Sequence, residues 1–119
     1  MKDNNQIAID SKNFAVRIIK LYKYLQDDKK EFVISKQVLR SGTSIGANIS
    51  ESVFAQSRQD FISKLSISLK EAGETKYWLE ILYETEFINQ TLFDSLSNDN
   101  NKLIATLINI INTSKKNNV

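Results

Sequence analysis

Apolar residues recur in steps of three and four along nearly the whole chain, and no proline interrupts them. Phe14, Ile18, Leu21 and Leu25 stack on one face of a helix, and Phe93, Leu96, Asn100, Leu103, Leu107 and Ile110 form an almost unbroken heptad stripe. The spacing predicts helices over about 10–26, 35–54, 58–85 and 91–115. Asp10 or Ser11 is expected to cap the first, and Ser57, with Asp60 at the third helical position, the third. The segment "DDKKE", 27–31, reads as a polar connection. "SNDNNK", 97–102, has the composition of a turn, but the stripe keeps phase on both sides of it, so one continuous last helix is expected. Four helices with short connections predict an all-α, antiparallel up-down-up-down four-helix bundle, one domain over 1–119.

Composition removes several kinds of chemistry. The chain has neither cysteine nor histidine, which excludes disulfides, thiolate or imidazole metal ligands, cysteine nucleophiles and histidine bases. Glu71 and Glu74 have the spacing of half a carboxylate-bridged di-metal motif, but the histidine that such bundles use is missing. No catalytic residue, metal, cofactor or small-molecule substrate is therefore expected. The first ten residues hold no apolar run of signal-peptide type, and no stretch approaches the ~18 apolar residues of a membrane span. A soluble, cytoplasmic protein without a membrane partner is the expectation.

"LRSGTSIGANISES", 39–52, holds two of the three glycines, four residues apart inside a predicted helix. A glycine there costs roughly 0.5–1 kcal/mol relative to alanine. On a helical wheel Gly42 and Gly46 fall with Val38, Ile45, Ile49 and Val53 on the apolar side. Missing side chains on a buried face admit a close backbone or seat a ring, and Tyr77, Trp78 and Tyr83 of the third helix are the expected neighbours. Gly42, Gly46 and Trp78 are thus candidate close-packing residues. No lysine follows Gly46, so a phosphate loop is excluded.

Two polar faces are candidate interaction sites. Arg40, Ser44, Asn48 and Glu51 line the opposite side of the second helix, facing either another copy of the chain or a neighbouring helix that bears Lys70, Glu71 and Glu74. On the first helix Lys12, Arg17, Lys20 and Lys23 are placed away from Phe14 and Leu21 as a stripe able to contact phosphates. Net charge is only +2, but up to Arg40 nine basic residues stand against five acidic ones, and the remainder is correspondingly acidic. A ring of copies would repeat the stripe and multiply a weak charge.

The strings "LRSGTSIGANISE", 39–51, and "SRQDFISKLSISLKEAGETKYWLEIL", 57–82, continued more loosely by "LIATLINIINTSKK", 103–116, resemble the small four-helix-bundle proteins encoded by intervening sequences within bacterial 23S ribosomal RNA genes. That family includes the accessory proteins of diversity-generating retroelements. The resemblance implies an all-helical bundle assembled into a homo-oligomeric ring, typically a pentamer, and, for the retroelement branch, contact with a reverse transcriptase and with nucleic acid. Most members have no assigned activity. Two features depart from the pattern: Gly73 stands where a side chain is usual, and the retroelement proteins are markedly more basic.

These readings converge on a non-enzymatic oligomeric binding or scaffold module, with weak, sequence-nonspecific binding of RNA or DNA through the basic face of the first helix. The alternative is a structural, self-assembling protein that acts through a protein partner, such as a nucleic-acid-handling enzyme, without touching nucleic acid itself.

Overall fold

The computed structural model describes residues 2–117, with side chains from Asn5 onward. Four helices follow one another: α1 (Lys2–Asp27), α2 (Ile34–Ser52), α3 (Arg58–Glu84) and α4 (Gln90–Lys116). Each helix touches only its two neighbours around the bundle, α1 with α2 and α4, α3 with α2 and α4, which is the antiparallel up-down-up-down arrangement. No described helix is long and apolar enough to cross a membrane.

The first helix starts at Lys2 rather than at Asp10. Neither Asp10 nor Ser11 caps it; both lie in its interior. Ile7 and Ser11 extend the Phe14, Ile18, Leu21, Leu25 stripe by two further steps and are buried with it, so tertiary packing carries the helix through residues whose own propensity favours a start. The last helix is continuous through 97–102 because Asn100 points into the core, 1% exposed, with Leu96 and Leu103 on either side.

The ends close through side-chain chemistry in place of proline and glycine. Ser57 Oγ accepts the Asp60 N–H at 3.0 Å, and Asp60 in turn accepts the Gln56 N–H at 3.2 Å, a reciprocal cap at the start of α3. Asn89 caps α4 by accepting the Leu92 N–H at 2.9 Å. At α2 the carboxylate of Glu31 accepts the N–H groups of Val33, Ile34 and Ser35 at 3.2, 3.1 and 2.6 Å. Lys30 takes a left-handed φ of 55°, which lets the Glu31 N–H reach back to Leu25 O at 2.9 Å and turns the chain into α2.

No glycine has a positive φ, so none is present for backbone freedom. A Cβ at Gly42 would lie 2.8 and 2.9 Å from Ile18 Cγ1 and Cγ2, and one at Gly46 would lie 3.2 Å from Ser11 O. Both therefore serve close packing, but against α1, and the expectation that they seat the aromatic residues of α3 is wrong. Trp78 instead packs half-buried at the edge of the core, with Tyr77 edge-on to it at 5.0 Å, while Tyr83 stacks on Phe93 of α4 at 4.6 Å. The physical reason is the rotation of α2: its glycine side meets α1, and α3 is met by Ser41 and Ile45. There Ser68 Oγ donates to Ile45 O at 2.8 Å, and the Thr75 hydroxyl lies 2.9 Å from that of Ser41. Val53, placed on the apolar side by its periodicity, falls beyond the end of α2 and is 73% exposed.

Gly73 faces open space, with nothing within 4 Å of an added Cβ. Gly73→Ala is accordingly expected to stabilise the protein by about 0.5–1 kcal/mol through helix propensity alone. A thermal melt that is unchanged or lowered would show that α3 needs a glycine at this point.

Candidate functional site

The polar line of α2 is engaged within the chain. Arg40 Nη1 pairs with Glu71 at 3.0 Å and Nη2 with Glu74, both on α3, and the Trp78 indole N–H donates to the same Glu74 oxygen at 2.9 Å. Ser44 donates to Arg40 O at 2.6 Å and Asn48 to Ser44 O at 2.8 Å, so both side chains fold back onto their own helix. Glu51 meets Lys64 at 3.4 Å. Of the two partners the sequence allowed, the neighbouring helix with Glu71 and Glu74 is the one observed, and Lys70 takes no direct part.

The Arg40 hydrogen bond, then the one from Trp78, holds the Glu74 carboxyl below its ordinary range despite some desolvation. A lowered folded-state pKa contributes stability that is present above the unfolded value of about 4.3 and fades as pH falls through the folded one. Arg40 is half exposed, so the pair resembles a surface network of less than ~1 kcal/mol. Arg40→Gln is expected to lower stability by no more than that at pH 7, with the difference from wild type vanishing in acid. A difference that persists unchanged into acid, after the carboxylates are protonated, would assign the loss to packing of the arginine stem.

The basic face of α1 needs one correction. Arg17 does not belong to it: Nη1 pairs with Asp99 at 2.7 Å and Nη2 donates to Ser95 Oγ at 2.9 Å, bridging α1 to α4. At 100° per residue Arg17 lies only about 60° from Phe14, on the flank of the core stripe, whereas Lys12, Lys20 and Lys23 lie at least about 120° away. α1 and α4 pack less closely than the other neighbouring helices, with recesses of about 280 and 260 Å³ along their seam, and Arg17 bridges the helices there. Lys12, Lys20 and Lys23 are exposed and make no ion pair among the described residues.

Sequence reasoning missed what lies between those lysines. Ile9, Val16 and Ile19 remain 55, 46 and 41% exposed on the same face. Their recurrence in steps of seven and three is the sequence signal for this face, and it lies interleaved with the lysines. A second apolar feature, Val53 and Phe54 in the α2–α3 turn, is 73 and 83% exposed beside a recess of about 410 Å³ lined by Ile7, Ile49, Phe61 and Leu65 among others.

The model of the family described as "23S rRNA-intervening sequence protein" matches residues 3–109. Among solved structures, a protein of unknown function from the S23 ribosomal protein family of Bacteroides thetaiotaomicron VPI-5482 is 55% identical, superposes with a TM-score of 0.92, and is matched over 92% of this chain and 98% of its own. No curated protein matches the sequence.

Proposed function

The chain belongs to the 23S rRNA-intervening sequence protein family, and from that premise we propose that it is a non-enzymatic binding module that works as an assembly of copies and offers the outer face of α1 as its contact surface. The observation that carries this reading is the grouping of Lys12, Lys20 and Lys23 with the exposed Ile9, Val16 and Ile19 on one outward face of α1. Arg17, Arg40 and Lys64 are all paired within the chain, whereas Lys12, Lys20 and Lys23 face outward without an acidic partner among the described residues.

Two occupants of that face have support. The lysines favour a polyanion, which would be bound weakly, without sequence preference and with a steep dependence on salt. The interleaved Ile9, Val16 and Ile19, together with the loss of Arg17 from the set, favour a protein, because phosphates give apolar side chains nothing to bury against. A protein partner, such as a nucleic-acid-handling enzyme, is therefore the leading reading, and direct contact with RNA or DNA the second. The exposed Val53 and Phe54 beside their recess, together with the family resemblance, support assembly into a closed homo-oligomer, with a pentameric ring as the expected state.

Light scattering tests the assembly: a monomer mass at micromolar concentration and ordinary salt would remove it. Retention of single-stranded and duplex RNA or DNA at ~50 mM salt tests the polyanion. If retention occurs and is lost in a Lys12→Gln, Lys20→Gln, Lys23→Gln variant of unchanged mass, nucleic acid becomes the leading occupant. Arg17 is left intact in that variant because its loss would loosen the α1–α4 seam and confuse binding with folding.

A further inference from the structure

α1 carries two seams, and the bundle uses one of them. Ile7, Ser11, Phe14, Ile18, Leu21 and Leu25 recur in alternating steps of four and three and are buried. Ile9, Lys12, Val16, Ile19 and Lys23 recur in the same alternation on the opposite side of the helix and face water. Alternating steps of three and four are the spacing by which one helix packs along another. From Ile9 to Lys23 the outer seam runs for about 21 Å at ~1.5 Å per residue, four turns, enough for one short partner helix.

Charge selects the kind of helix. Lys12 and Lys23 alternate with the three apolar side chains along the seam and Lys20 lies beside it, so a partner with carboxylates next to its own apolar side chains would satisfy them. A second copy packed α1 against α1 would oppose lysine to lysine. The other outward faces of this chain do not supply the complement either, since Glu80 and Glu84 of α3 come with Lys70 and Lys76, and the exposed face of α4 carries a single carboxylate, Asp94, against Lys102, Lys115 and Lys116. We propose that the outer face of α1 docks an acidic amphipathic helix of a different protein, its apolar stripe seated on Ile9, Val16 and Ile19 and its carboxylates on Lys12, Lys20 and Lys23. This rests on the reading of the chain as a binding module.

A selection against the purified full-length protein tests it. The probe is a displayed library of two-heptad helices, about four turns long, with leucine or isoleucine at the two seam positions of each heptad and glutamate, lysine, glutamine or serine randomised at the flanking positions. The expected result is enrichment of glutamate at the flanks, with the amide resonances of Ile9, Lys12, Val16, Ile19 and Lys23 moving when an enriched peptide is titrated in. An Ile9→Ser, Val16→Ser, Ile19→Ser variant and a Lys12→Glu, Lys20→Glu, Lys23→Glu variant should each weaken that peptide by about tenfold or more, and both should retain wild-type helicity because every altered side chain is exposed. Absence of enrichment, enrichment of neutral or basic flanks, or resonance changes confined to other helices overturns the proposal. So does a drop in oligomer mass in the serine variant, which would place this face between copies. If the lysines retain RNA while no peptide is selected, the binding-module reading survives and this inference alone falls.

Discussion

Gly42→Leu is expected to destabilise the protein by at least ~3 kcal/mol, at or beyond the upper end of what overpacking a core costs. Even the first added carbon would lie within 2.9 Å of two Ile18 carbons, and Ile18 is fully buried, with Cγ1 and Cγ2 too near its own backbone to swing aside. Gly42→Ala should also destabilise, by ~1–2 kcal/mol, the clash outweighing the roughly 1 kcal/mol that helix propensity returns. Gly46→Ala should be milder still, because its Cβ would need only a few tenths of an ångström from Ser11 O, and Gly46→Leu should fall at ~1–3 kcal/mol. A double-mutant cycle isolates the contact. Ile18→Ala alone should cost ~2–5 kcal/mol by leaving a cavity, yet combined with Gly42→Ala it should cost at least ~1 kcal/mol less than the sum of the two. Strict additivity in urea titrations would show that Gly42 and Ile18 do not compete for the same space.

Asn100→Asp is the second large effect, and it depends on pH. Asn100 Nδ2 donates to Ala72 O across the α3–α4 interface at 2.9 Å, while Oδ1 is buried without a partner. An ionised aspartate there would set a buried charge against a carbonyl oxygen, at a cost of ~3 kcal/mol or more at pH 7. Burial raises the folded-state pKa of that carboxyl above its unfolded value of about 3.9. The protonated group can still donate to Ala72 O, so the penalty is absent below the unfolded pKa, grows as pH rises from there to the folded one, and is complete above it. The melting deficit of the variant relative to wild type should therefore shrink towards pH 4. A deficit independent of pH would mean that the side chain rotates out to water. Asn100→Leu, which removes the unpaired Oδ1 and continues the flanking leucine stripe, should lie within ~1 kcal/mol of wild type.

Much of the bundle was legible because its information is local and periodic. Leu96, Leu103, Leu107 and Ile110 had to share a face, and they do so in the core. Ser57 and Asp60 announced their cap in four residues. The start of α1 was not legible because Asp10 and Ser11 have the chemistry of a cap, and only the burial of Ile7 and Ser11 against the rest of the bundle overrides it. Glu31 as the cap of α2 was hidden for a related reason: its carboxylate reaches N–H groups two to four residues ahead only once Lys30 has turned left-handed.

The candidate surface divides along the same line. Residue spacing alone put Lys12, Lys20 and Lys23 on the outside of α1, because the wheel angle of a lysine follows from its number. It also put Gly42 and Gly46 on the buried side of α2. Which helix those glycines face, whether Arg17 binds outward or pairs with Asp99, and whether Arg40 reaches a second copy or Glu71 and Glu74 were decided only in three dimensions. A repeat of three and four residues sets the angle between side chains on one helix but leaves free the rotation of that helix about its own axis relative to its neighbours. Packing sets that rotation, and with it the partner of every side chain on the flank of a core stripe.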